Sequence, residues 1–145
     1  MPEPSAPPPD DLPVVLFLCV HNAGRSQMAL GWLDHLADGR AHARSGGSAP
    51  ADEVNPAAVA AMAEVGIDLA GQRPTRWTDD DLRVADVVVT MGCGDSCPVL
   101  PGKRYQDWEI PDPAGQGVEA VRAIRDEIER RVRGLLSDLG VPANR

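Results

Sequence analysis

The sequence predicts a single α/β domain, an open four-stranded parallel sheet with helices on both faces. Three observations predict it. Short Val-rich apolar runs alternate with segments whose apolar residues recur every three or four positions. The first run, Val14 to Val20, is apolar throughout, as in a strand buried on both faces rather than one facing water. The length of 145 residues and the 43% hydrophobic content fit one globular domain with its own core. With one Phe, one Tyr and three Trp, that core has to be aliphatic.

Residues 1–12 are Pro-rich and acidic, too polar to offset their ordering entropy, so a disordered tail is expected there. The domain is expected over residues 13–140, with a short C-terminal tail at 141–145. After the first strand, Met28, Trp32, Leu33 and Leu36 recur at helical spacing, predicting a helix from Ser26 to near Gly39. Ala41 to Ser45, ahead of Gly46 and Gly47, suits a brief second strand. Asn55-Pro56 opens a second helix, an N-cap residue followed by proline at the first helical position. Val59, Met62 and Val65 mark its expected inner face, and Gly66 its end. A polar, Asp-rich connection leads to a third strand at Asp86 to Met91, and Arg104 to Trp108 suit a fourth. The clearest element is the last helix, about Gly117 to Leu139, where Val121, Ile124, Ile128, Val132, Leu135 and Leu139 step by three and four opposite a charged face.

Composition narrows the function. The chain carries 14 basic and 22 acidic residues, a net charge of −8, with no block of Lys or Arg, so nucleic acid is not an expected partner. The longest apolar run is one strand long, far short of the ~20 residues of a spanning helix, and no membrane association is expected. No targeting segment is evident, so a cytoplasmic protein with reduced thiols is expected. Three cysteines cannot close a disulfide framework, which leaves at least one thiol to account for.

The thiol placed for chemistry is Cys19. In open parallel sheets ligands bind beyond the carboxyl ends of the strands, where the segment Cys19-Val20-His21-Asn22-Ala23-Gly24-Arg25-Ser26 joins the first strand to the first helix. A loop so placed turns backbone N–H groups and the helix dipole toward a tetrahedral oxyanion. Gly24 permits close backbone approach, and the planar fork of Arg25 can grip two oxyanion oxygens. The same positive field favours the thiolate form of Cys19, the nucleophilic form, with Ser26 and Asn22 as further donors. For Cys19 alone, burial at a strand end would be the simpler reading. The Cys-x5-Arg-Ser spacing between strand and helix turns the balance toward chemistry. His21 is read either as an exposed loop residue or as one shaping the mouth of the site, and His35 and His42 carry no signal.

Cys19 to Ser26, continuing into Gln27-Met28-Ala29, resembles the signature of the low-molecular-weight tyrosine phosphatase superfamily, specifically its arsenate reductase branch. Ser45-Gly46, Val54-Asn55-Pro56, Val65-Gly66-Ile67-Asp68, Val87 to Met91 and Asp112-Pro113 extend the resemblance over residues 14 to about 139. It implies Asp112 as the general acid that protonates the departing oxygen. The residue after Asp112-Pro113 is Ala114 rather than an aromatic, which counts against an aryl phosphate substrate. Cys93 and Cys97 follow the third strand, an i,i+4 pair within disulfide reach if that segment is helical. The resemblance implies that Cys19 forms an adduct with arsenate, that a Cys19–Cys93 disulfide releases arsenite, and that a Cys93–Cys97 disulfide is then reduced by thioredoxin. No bound cofactor or metal is expected, and a monomer is expected. Some relatives hold potassium through a Glu where this chain has Leu30, so Asn22, Ser45 and Asp68 are not expected to bind it. The competing readings are a phosphotyrosine phosphatase, a reductase coupled to mycothiol or glutathione, a Cys19-His21-Cys93-Cys97 zinc site, and a catalytically idle anion-binding module.

Overall fold

The computed structural model describes residues 12–92 and 103–143. Eight elements follow in the order β1 (Val14–Cys19), α1 (Arg25–Ala37), β2 (His42–Gly47), α2 (Pro56–Ala63), α3 (Asp79–Val84), β3 (Val87–Thr90), β4 (Arg104–Asp107) and α4 (Val118–Asp138). The four strands form one sheet in the order β2-β1-β3-β4, every neighbouring pair parallel. This is the predicted architecture. The chain runs from β1 outward to β2 and then returns past β1 to β3, so the order reverses beside β1. Such a reversal opens a crevice at the carboxyl end of the central strand.

Alternation along β1 divides the core. Val15, Phe17 and Cys19 face α1, α2 and α4, with Val87, Val89 and Met91 of β3 and its exit on the same side. Leu16, Leu18 and Val88 face the other way and meet Leu82 and Ala85 at α3. Phe17, Leu33, Leu36 and Ile128 are fully buried, each contributing roughly 1.5–3 kcal/mol of hydrophobic stabilisation. Packed against both α1 and α2, α4 holds the thick side of the molecule together.

Four local expectations are corrected. First, β2 runs through Gly46 and Gly47 instead of ending before them. A Cβ at Gly47 would stand 2.6 Å from the Val20 carbonyl oxygen, so the glycine serves close approach within the strand rather than a break. Second, α2 ends at Ala63, and its buried face is Ala58, Ala61 and Met62, with Val59 and Val65 only half-buried. The two alanines allow the helix to lie close, and the bulkier residues sit at its margins. Third, the Asp-rich connection contains α3, capped by reciprocal bonds between Thr78 and Asp81 and tethered to β2 by Arg44. Fourth, Leu139 is the C-cap of α4 while Leu136 takes the buried position, and Val141, placed by the sequence reading in a C-terminal tail, belongs to the core cluster. The proposed tail at residues 1–12 lies outside the described residues except for Leu12. Among the described residues no helix is long and apolar enough to cross a membrane.

Candidate active site

Cys19 ends β1 at the bottom of a pocket of about 380 Å³. The lining includes His21, Ala23, Gly24 and Arg25 from the loop after β1, Ala51 and Asn55 from the segment before α2, and Asp112 to Gly115 from the loop after β4. The predicted meeting of Cys19, Arg25 and Asp112 at one sheet edge is therefore present. Cys93 and Cys97 lie outside the described residues.

Donors surround the sulfur. The Asn22 N–H donates to Cys19 Sγ at 3.3 Å, and the Ser26 hydroxyl lies 3.0 Å from it. Asn22 Nδ2 donates to Ser26 Oγ at 2.7 Å, which leaves the hydroxyl hydrogen available for the sulfur. Asn22 is fully buried with φ 51, a left-handed conformation that Asn tolerates better than most residues. Gly24 is the N-cap of α1 and no side chain caps this end, so the first-turn amides face the loop. Val20 and Ala23 contribute backbone: their carbonyls accept from Ala49 and Asn55 N–H at 2.8 Å each, tying the loop to the chain beyond β2.

Arg25 sits between the two catalytic candidates, with a side chain only 8% exposed. Its Nη1 donates to the Ile110 carbonyl at 3.2 Å, and Nη2 lies 3.7 Å from Asp112 Oδ2. Gly92, with φ +84, lies against this guanidinium so closely that an added Cβ would collide with Nη1. The residue before Cys93 thus abuts the Arg25 guanidinium. The Asp112 carboxylate accepts the Ala114 N–H at 2.9 Å, an Asx turn that aims the acid loop.

The sequence reading missed two further contributors. Asn55 caps α2 as predicted, through Oδ1 to Ala57 N–H at 2.9 Å, and it also touches both site loops. Its N–H holds the Ala23 carbonyl and its Nδ2 donates to the Pro113 carbonyl at 3.4 Å. Thr75 is the second, its N–H donating to Asn22 Oδ1 at 2.9 Å across 53 positions of sequence. The Asn55-Pro56 pair signals a cap but not a bridge, and Thr75 has no local signal. Of the residues weighed for potassium, Asn22 turns its carbonyl group to Thr75, and exposed Asp68 accepts the Ala70 N–H. Among the described residues no group of three His, Cys, Asp or Glu converges.

Fold and site define a class: an α/β protein with a cysteine at the start of a strand-to-helix loop and a carboxylate lining the same pocket. The chain belongs to the low molecular weight phosphotyrosine protein phosphatase family, whose model matches residues 14–143. It is 39% identical over 127 residues to a putative arsenate reductase of Halobacterium salinarum, covering 84% of this chain and 89% of that protein. It is 35% identical over 128 residues to the glutaredoxin arsenate reductase of Synechocystis, covering 86% and 97%. Among solved structures, a thioredoxin-dependent arsenate reductase of Corynebacterium glutamicum superposes with a TM-score of 0.77 at 43% identity. That match covers 89% of this chain, which spans 62% of the Corynebacterium chain.

Proposed function

We propose that this protein reduces arsenate to arsenite, with Cys19 as nucleophile and thioredoxin as the source of electrons. The observation that carries the reading is the pocket itself, with a thiol at its floor and a guanidinium and a carboxylate on its wall. Among its described lining residues there is no Phe, Tyr or Trp to hold an aryl group, and Ala51, Ala114 and Gly115 leave a mouth suited to a small inorganic oxyanion. The relatives named as arsenate reductases support it.

In this reading Arg25 and the loop amides of Val20 to Ser26 hold the oxyanion. Cys19 Sγ attacks arsenic, an S–As bond forms, and one oxygen departs as water with the proton supplied by Asp112. The Cys93 thiolate then attacks Cys19 Sγ. A Cys19–Cys93 disulfide forms, the S–As bond breaks, and its electron pair stays on arsenic, which leaves as arsenite. Cys97 attacks Cys93 and frees Cys19, and the dithiol of thioredoxin reduces the Cys93–Cys97 disulfide by exchange. The cycle belongs in a compartment that keeps thiols reduced, the cytoplasm.

Arsenate reduction coupled to thioredoxin and its reductase, comparing the parent with Cys97→Ser, tests the relay. The expected result is a single turnover, with a Cys19–Cys93 disulfide found by peptide mass mapping. Sustained thioredoxin-dependent turnover by Cys97→Ser overturns the three-thiol relay. Likeness to a glutaredoxin arsenate reductase favours a second reading in which a small thiol resolves the adduct. On that reading Cys97→Ser keeps turning over once glutathione and glutaredoxin, or mycothiol, replace thioredoxin.

A further inference from the structure

We infer that Gln27 is a positioning residue for the Cys19 thiol, acting through Asn22 and Ser26. The inference rests on Cys19 being the nucleophile proposed above. Gln27 lies in the first turn of α1, 1% exposed, and lines no part of the pocket. Its Nε2 faces three acceptors: the Asn22 carbonyl and Asn22 Oδ1, both at 3.1 Å, and the Arg73 carbonyl at 3.2 Å. Two of these belong to the residue whose left-handed backbone aims its N–H at Cys19 Sγ and whose Nδ2 holds Ser26 Oγ. The third belongs to the segment that also supplies Thr75 N–H to Asn22. The two hydrogens of one amide nitrogen are thus shared between the backbone and side-chain oxygens of Asn22 and the chain at residue 73.

The other half of the amide shows that this nitrogen is what the position requires. Gln27 Oε1 is buried without a hydrogen-bond partner among the described residues, an unfavourable placement for a carbonyl. A methionine, of similar length and volume, would fill the same space without that unpaired oxygen, but would leave the Asn22 and Arg73 carbonyls without their donor. If Gln27 served packing alone, the apolar side chain would be the better occupant. Its contribution is therefore the donors, and those donors point at the residue that orients the thiol's partners.

The prediction separates reactivity from stability. Gln27→Met melts within a few degrees of the parent, because removal of the orphaned carbonyl offsets part of the cost of leaving the Asn22 and Arg73 carbonyls without their donor. Alkylation of Cys19 by iodoacetamide, followed by peptide mass mapping to separate it from Cys93 and Cys97, falls about tenfold at neutral pH, with its pH profile moved upward. In a Ser26→Ala background the same substitution has a smaller effect, since the hydroxyl through which Gln27 acts is gone. Should Gln27→Met fail to fold, the isosteric Gln27→Glu, which presents a carboxylate to the same acceptors, is compared instead and expected to slow alkylation likewise. Parental alkylation with an unmoved pH profile in whichever variant folds overturns the inference, as does full additivity with Ser26→Ala. Alkylation requires no arsenate chemistry. A Gln27-dependent thiol in a protein inactive on arsenate would sink the functional reading alone, and an active reductase with a Gln27-independent thiol would sink this inference alone.

Discussion

Cys19 and Asp112 face one pocket, yet Cys19 is 2% exposed and the Asp112 side chain 46% exposed. The loop after β1 is bound from several sides, by Ser48, Ala49, Ala51 and Asn55 N–H groups to its carbonyls and by Gln27 and Thr75 to Asn22. The loop after β4 is held mainly by its own Asx turn, by Gln116 on the Asp112 carbonyl, and by contacts of Ile110 and Pro113 with the first loop and Asn55. A prebuilt seat costs no reorganisation when charge develops on a bound oxyanion, which is where preorganised donors act most strongly. On the mechanism proposed above, the acid needs only to reach the departing oxygen, and looser tethering lets it follow the substrate. Under the proposed function, the difference assigns rigidity to anion binding and adjustability to proton transfer.

The substitution that damages both halves at once is Arg25→Lys. A lysine ammonium is a point charge that cannot reproduce a planar fork reaching the Ile110 carbonyl, Asp112 and an oxyanion together. Loss of about a hundredfold in kcat/KM is expected, comparable to removal of one oxyanion donor, with weaker competition by phosphate in the same assay. Unchanged phosphate inhibition would show that the fork does not grip the anion.

A narrower perturbation separates the loops. A Cβ at Gly24 would stand 2.5 Å from Pro113 Cγ, so Gly24→Ala must push the acid loop outward. The hydrogen bonds that join Cys19, Asn22 and Ser26 do not involve Pro113. The expected outcome is a kcat lowered on the order of tenfold, as for sub-ångström misplacement of a reacting group, with phosphate inhibition and Cys19 alkylation near parental values. A matching fall in alkylation would mean the two loops are one rigid unit after all.

Legibility in the sequence followed the same division. The seat is local: an unbroken apolar strand, a Cys-x5-Arg-Ser spacing and a helix register place Cys19, Asn22, Arg25 and Ser26 within eight consecutive positions. Long periodicity likewise revealed α4. Asp112 entered through resemblance, since an isolated Asp-Pro reads first as a turn. The six residues of α3 bury only Leu82, too little for an apolar period to register. Ala58 and Ala61 hide the inner face of α2 because small residues carry little hydrophobic signal while permitting the closest packing. Asn55 and Thr75 act through partners distant in sequence, 58 positions for the Asn55 bond to Pro113 and 53 for the Thr75 bond to Asn22, and Gln27 docks its end of the network on Arg73 across 46. Nothing in their own neighbourhoods marks such bonds.

The smallest expected effect tests how firmly the bridge between the loops is anchored. Asn55, which touches both, is the N-cap of α2, and Glu64 is the C-cap of the same helix. Hydrogen bonds from Arg122 and Arg125 of α4 hold the Glu64 carboxyl down to about 2 from an ordinary 4.5. A carboxyl depressed in the folded state adds stability that is fully present above 4.5 and is lost as pH falls from there toward 2. Glu64 is solvent-exposed, so the contribution is screened and a Tm difference of only a few degrees is expected between the parent and Glu64→Gln at pH 7. That difference should shrink as the pH is lowered to 3, because protonation begins to do to the parent what the substitution has already done. A gap that stays constant across the range would place the anchoring of α2 elsewhere, in the buried Arg125 bond to the Ala61 carbonyl, which does not titrate.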